Sequence, residues 1–192
     1  MKGLAFAYDP DGYWVEIVNR GKGAEGKAPK FSLAQTMLRV KDPLKAVEFY
    51  EKHLGMTRVN VRHFSDFSLY FLATVPSWLK SSVPEDVFSP EAATFVKETL
   101  YPNNIPVLEL THNHGTEKNA DFQYLNGNTE GRVGFSCVGF LVEDLASKCT
   151  NLEAAGVAFL KRANEGVMKY NAIVVDPDGY RVELLQKGAQ AH

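Results

Sequence analysis

Asp176-Pro177-Asp178-Gly179-Tyr180-Arg181-Val182-Glu183, near the C-terminus, recurs near the N-terminus as Asp9-Pro10-Asp11-Gly12-Tyr13-Trp14-Val15-Glu16. The correspondence extends without a gap from Met1–Gly21 onto Met168–Gly188, so the chain contains an internal repeat. Each copy reads as a β-hairpin: an apolar strand, a turn on Asp-Pro-Asp-Gly, and a second strand with one glutamate among apolar residues. Proline presets the first φ of the turn and glycine takes the positive φ. The turn has no use for the glutamate. Glu16 and Glu183 interrupt apolar runs, and an unpaired carboxylate on a core face would cost several kcal/mol, roughly. Each is therefore either solvent-facing on a half-buried strand or aimed into a cavity, to bind a metal or move a proton.

The 192 residues, 45% hydrophobic and 11% aromatic, suffice for a sizeable core. A formal charge of −2 gives no basic footprint for nucleic acid or an anionic membrane. No secretory signal pattern opens the chain, and no apolar run approaches the roughly 18 residues of a membrane helix. Cys137 and Cys149 cannot build a disulfide framework, which points to a reducing, cytoplasmic setting.

Between the two hairpins the pattern repeats on a larger scale. Residues 1–20 carry the first hairpin, and the glycine- and lysine-rich stretch at 21–30 reads as a linker. Leu33–Val40 is strand-like, Asp42 and Pro43 start a helix, and Gly55 stops it. Strands follow at Met56–Arg62, Ser68–Thr74 and Val107–His112. Val75–Pro106 intervenes with five prolines and a short helix around Pro90–Leu100; such insertions are lids, interface arms or disordered loops. A polar, glycine-rich stretch ending in NGNTEGR precedes a strand at Gly134–Val142, a helix over Val142–Ala155, a strand at Ala158–Lys161 and the second hairpin. This predicts an α+β fold of two β-α-β-β-β modules, at about 31–118 and 131–188 within one domain of 31–188.

Gln35, Glu109 and Glu183 are polar residues on apolar strands. Two carboxylates and an amide oxygen suit a hard or borderline divalent cation, with open positions for substrate oxygens, and one carboxylate could act as a general base. Three unrelated surface positions would give the same pattern. His112 and His114 share a strand face; they could pair on a metal or simply hydrogen-bond. Cys137 in GFSCVGF is a small core residue or, as thiolate, a zinc ligand. Arg39 in an apolar strand calls for a carboxylate partner, from the protein or a ligand. Arg132 lies in a glycine-rich loop.

Taken together, QTMLRVKDP, FSLYFLA, LELTHNxGTE, YxNGN and DPDGYxVE resemble glyoxalase I, the lactoylglutathione lyase family of the vicinal oxygen chelate superfamily. The resemblance covers Ser32–Gln186 as one module pair, and Met1–Asn19 as the tail of another. It implies a zinc or nickel ion held by Gln35 and Glu109 from a first half and by Glu183 from a second, with Glu183 or Glu16 as base. Arg39, Asn113, Arg132 and Met168 fall at the family's glutathione-anchoring positions. The implied reaction converts the methylglyoxal–glutathione hemithioacetal to S-lactoylglutathione.

Two departures accompany the resemblance. Cys137 stands where the family's histidine ligand belongs, and Val167 replaces a lysine in the glutathione loop. The resemblance further implies a tandem architecture in which Glu16 would share a site with Gln35 and Glu109, this chain being the C-terminal part of such a protein. A homodimer could otherwise complete a site. The alternative is a catalytically silent module that binds glutathione conjugates or a partner chain. A dioxygenase of the same superfamily would need two histidines and a carboxylate, which the matched positions do not offer.

Overall fold

In a computed structural model of the protein, residues 4–18 and 31–188 are described; the linker read at 21–30 lies outside them. They form two compact units, one from the residues up to Arg39 together with Gly55–His114, the other from Val40–Leu54 and from Gly115 onward.

The first unit opens with the hairpin of β1 (Leu4–Tyr8) and β2 (Trp14–Val18). Its four-stranded sheet contains β3 (Gln35–Arg39), β4 (Thr57–His63), β5 (Phe67–Ala73) and β6 (Val107–Asn113), in the order β3-β6-β5-β4. β3 and β6 are parallel, and the remaining pairs are antiparallel. Strand alternation divides β3 sharply: Leu38 is buried in one direction, while Gln35, Met37 and Arg39 point in the other. Register places Val107, Glu109 and Thr111 of β6 on that same second face.

The insertion at 75–106 is a packed element of this unit. Its helix α2 (Pro90–Phe95) is capped by Ser89 and continues through a wider turn over Val96–Leu100. Phe95, Val96, Leu100, Tyr101 and Ile105 join Val59, Phe71, Ala73 and Val107 in one hydrophobic cluster. A short helical segment at Ser77–Ser82, not expected from sequence, adds buried Leu79. The five prolines punctuate the segment without keeping it out of the core.

The second unit takes helix α1 (Pro43–Glu48), extended over Phe49–His53, and the sheet of β7 (Cys137–Val142), β8 (Phe159–Lys161), β9 (Asn171–Val175) and β10 (Arg181–Gln186). The order β7-β10-β9-β8 repeats that of the first sheet, with β7 and β10 parallel. Thus the predicted β-α-β-β-β order occurs twice, with the same pairing. Helix α3 (Leu145–Ala154) begins later than the sequence suggested. β7 runs to Val142, and Asp144 then caps the helix by accepting from Ser147 N at 2.9 Å. Gln186 fastens that junction, accepting from Leu145 N at 2.8 Å and donating to Glu143 O at 2.7 Å.

The two copies of the hairpin turn have the same hydrogen bonds. Asp9 Oδ1 accepts from the N–H groups of Asp11 and Tyr13, at 2.9 and 2.8 Å. Asp176 Oδ1 accepts from those of Asp178 and Tyr180, at 3.0 and 2.9 Å. Gly12 and Gly179 adopt φ of 84° and 85°, the left-handed conformation that glycine permits. The surroundings differ. Val182 and Leu184 of the second copy are 0% exposed between β7 and β9, whereas their counterparts Val15 and Ile17 are 47% and 52% exposed in a two-stranded ribbon.

Candidate metal and active site

Gln35, Glu109 and Glu16 converge in the first unit. Gln35 begins β3, Glu109 lies on the adjacent β6, and Glu16 is the glutamate of the first hairpin. Gln35 Nε2 donates one hydrogen to Glu16 Oε2 at 2.9 Å and the other to Glu109 Oε2 at 2.8 Å. The amide therefore bridges two carboxylates, with its own oxygen turned away. That oxygen, Oε1, accepts from the hydroxyl of Tyr101 at 2.6 Å.

Burial is the main influence on the charges here. It lifts the Glu109 carboxyl to about 7, with the Glu16 charge adding to it and hydrogen bonds from Thr111 and Gln35 opposing. Glu16 is raised as well, again through burial, against its bond from Gln35. Thr111 Oγ1 donates to the other Glu109 oxygen at 3.2 Å. Burial also pushes the Tyr101 hydroxyl above its ordinary range, so it remains a neutral donor.

An open pocket of about 530 Å³ lies alongside. Glu16 and Gln35 line it together with Phe6, Trp14, Phe31, Leu33 and Met37, while Glu109 sits behind Gln35 and is not among the lining residues. Phe6 and Tyr8 each meet Trp14 edge to face, with ring centroids 5.4 and 5.1 Å apart.

Two carboxylates brought together around a neutral amide, one of them buried and raised, form a place where positive charge would be stabilising. They offer carboxylate oxygens and, after rotation of one side-chain amide, a carbonyl oxygen. The set fits such an ion with an incomplete shell. Among the described residues no three His, Cys, Asp or Glu side chains gather to hold a metal.

The remaining predicted residues are placed as follows. Arg39 Nη1 donates to Asn113 Oδ1 at 3.4 Å on the face that bears Glu109. Glu183 is in the second unit, where register sets it opposite Gly139 and Ile173 and where it accepts a short hydrogen bond from Asn171 Nδ2. Cys137 is exposed at the start of β7, opposite Arg181. Arg132 is exposed in its loop, with its N–H donating to Thr129 O at 3.0 Å. Met168 and Val167 are exposed, and the Met168 carbonyl accepts from Lys161 Nζ at 2.6 Å.

Ser68 Oγ lies 2.7 Å from His63 Nδ1 and 2.7 Å from His114 Nε2. His112 pairs in register with Ser68, on the opposite face from Glu109, so it cannot join that carboxylate on one ion. Tyr101 is the site residue that sequence reasoning missed. Its only sequence signal is an aromatic just past the helix expected around Pro90–Leu100, within a segment read as a lid, interface arm or disordered loop.

The chain is similar to known proteins in both sequence and fold. The family model described as Glyoxalase/Bleomycin resistance protein/Dioxygenase superfamily matches residues 32–184. A lactoylglutathione lyase of Pseudomonas putida is 42% identical over 166 residues, spanning 85% of this chain and 89% of that protein. Glyoxalase I of Saccharomyces cerevisiae is 42% identical over 165 residues, 82% of this chain and 45% of the yeast protein. The lactoylglutathione lyase of Schizosaccharomyces pombe is 35% identical, with 97% of this chain covering 56% of its length. The chain thus spans about half the length of these two curated relatives. Among solved structures, glyoxalase I from Zea mays aligns with 95% of this chain and 53% of its own, at a TM-score of 0.61 and 25% identity. The match over most of the chain, together with the bacterial relative aligned over most of its length, shows that this chain belongs to the glyoxalase I, or lactoylglutathione lyase, family.

Proposed function

We propose that the chain carries out, or supplies half of the site for, the lactoylglutathione lyase reaction, which isomerises the methylglyoxal–glutathione hemithioacetal to S-lactoylglutathione. The observation that carries this reading is the convergence of Gln35, Glu109 and Glu16 beside an open pocket. The relatives that bear the enzyme's name support it.

Glu109 and Gln35, with Glu16 at the rim, would hold a divalent cation, zinc or nickel. When bound, the ion supplies positive charge beside the substrate oxygens that become negative. Glu16 is the base of this arrangement: it lines the pocket, so its carboxylate can take a proton from one substrate carbon and return it to the next. Burial has already raised its proton affinity. Phe6, Trp14 and Met37 would offer apolar surface to the aldehyde's substituent. Arg39, which donates to Asn113 on the same face, would pair with a glutathione carboxylate. In a second site Glu183 would take the base's role with Cys137 in the ligand position, and Arg132 and Met168 would face glutathione.

The first hairpin needs a partner to match the second. β9 and β10 are flanked by β8 and β7, and their inward residues are covered. We propose that a second copy or an upstream module supplies the equivalent strand–helix–strand around β1 and β2, and the missing fourth ligand with it. A cytoplasmic location fits the free cysteines, and among the described residues no helix is long and apolar enough to cross a membrane.

The test is the rate of S-lactoylglutathione formation from methylglyoxal and glutathione with zinc or nickel added, alongside Glu109→Gln. Metal-dependent turnover that the substitution removes is the expected result. A folded chain that binds metal but does not turn over, alone or with an upstream module supplied, would overturn it. Cys137 at the family's histidine position and Val167 at its lysine position favour a second reading, a silent module. That reading expects glutathione conjugates to raise the melting temperature without metal.

A further inference from the structure

We infer that Tyr101 is a positioning residue for Gln35, whose hydroxyl donates to the amide when the site is metal-free and accepts from it when the amide turns its oxygen towards a cation. In the structure every hydrogen-bonding atom of the Gln35 amide is used: both N–H groups go to carboxylates, and Oε1 receives the Tyr101 hydroxyl. An amide that points its nitrogen between Glu16 and Glu109 cannot present its oxygen to an ion there. Ligation therefore needs a half-turn about the terminal side-chain bond, which brings Nε2 to the place of Oε1. Most side chains at position 101 would then lose their bond. A tyrosine hydroxyl is both donor and acceptor, and keeps its partner through the turn.

The packing supports a fixed hydroxyl. Tyr101 is 6% exposed, clamped in the cluster of Phe95, Val96, Leu100 and Val107. Its N–H donates to Val96 O at 3.1 Å, which ties it to the last turn of the insertion's helix. Gln35, in contrast, has three side-chain torsions to order. A rigid partner at its far end confines the amide over the carboxylate pair in both orientations, which lowers the entropy lost on ligation. The 75–106 insertion therefore serves the site from the face of the sheet that bears Gln35 and Glu109.

The inference rests on the metal-binding reading above, and its test separates the two. Wild type, Tyr101→Phe, Gln35→Ala and the double variant are compared by metal-free melting temperature and by zinc dissociation constant, the latter from competition with a chromophoric chelator. The expected result is that Tyr101→Phe lowers the melting temperature and weakens zinc binding about five-fold, whereas in the Gln35→Ala background it changes neither. An equal melting loss in both backgrounds would show that Tyr101 acts only through the core and would overturn the inference. A melting loss confined to the Gln35 background with zinc affinity unchanged would overturn it too, since the amide would not need the tyrosine to ligate. A wild-type chain that binds no zinc at all would overturn the amide turn along with the metal reading, and is recognised because the melting-temperature coupling survives it.

Discussion

Tyr50 donates its hydroxyl hydrogen to Asp176 Oδ2 at 2.8 Å, joining helix α1 to the turn of the second hairpin. Tyr50 is 0% exposed, and Asp176, raised by burial, spends its other oxygen on the backbone of its own turn. Replacing Tyr50 by Phe leaves a buried carboxylate oxygen without that donor. The expected cost is about 1–3 kcal/mol, read as a lower urea midpoint with an unchanged denaturant slope.

Glu109 gives the metal-free chain a pH signature. Its ordinary value is 4.5, and burial raises it to about 7 in the folded state. Between those values the folded chain holds a proton that the unfolded chain has released, so stability falls as pH rises through the window and levels off above it. Glu16, Asp176 and Asp178, also raised by burial, act in the same direction. The Glu109→Gln variant should therefore lose stability less steeply than wild type between pH 5 and pH 7, roughly, as followed by urea midpoints in the absence of metal.

The repeat permits an internal comparison of burial. Leu184→Ala empties a 0% exposed position and should cost about 2–5 kcal/mol. Ile17→Ala, at the matching position of the first copy, should cost under about 1 kcal/mol. If a partner or upstream module covers the first hairpin, supplying it should raise the second cost towards the first. Denaturation of both variants, with and without that component, makes the check.

Gly127, in the Asn126-Gly127-Asn128 turn, is required by close approach. A Cβ there would lie 2.2 Å from Gly134 O and 2.7 Å from Gly134 C. The turn is closed by Gly127 N donating to Phe135 O at 2.9 Å and Asn128 Nδ2 donating to Ser136 O at 2.7 Å. Gly127→Ala should part these strands of the loop, at about 1–3 kcal/mol, with faster amide hydrogen exchange over 126–136 and little change in β3 or β6.

The order of elements was legible because its signals are local. Asp-Pro-Asp-Gly fixes both hairpin turns, Asp42-Pro43 starts α1, and strand alternation marks β3 and β6. Gln35 and Glu109 stood out as polar residues on apolar strands, and the repeat singled out Glu16. The start of α3 was misplaced because apolar Val142 suits a strand or a helix equally, and the cap at Asp144 decides between them. Tyr101 was not legible. Its role depends on the insertion folding back into the core, a long-range packing choice that residues such as Pro102 and Asn103 do not announce.

The bare ribbon of β1 and β2 has a dynamic consequence. A two-stranded hairpin alone is marginal in water, so its amides should open and exchange far faster than those of β9 and β10, with which it shares its turn and its glutamate. Glu16 rides on this ribbon, and its bond to Gln35 ties the strand to the sheet. Whatever binds between Glu16 and Glu109 acts as a latch, and its arrival should register first as slowed exchange at Phe6, the cross-strand partner of Glu16, and at its neighbour Ile17.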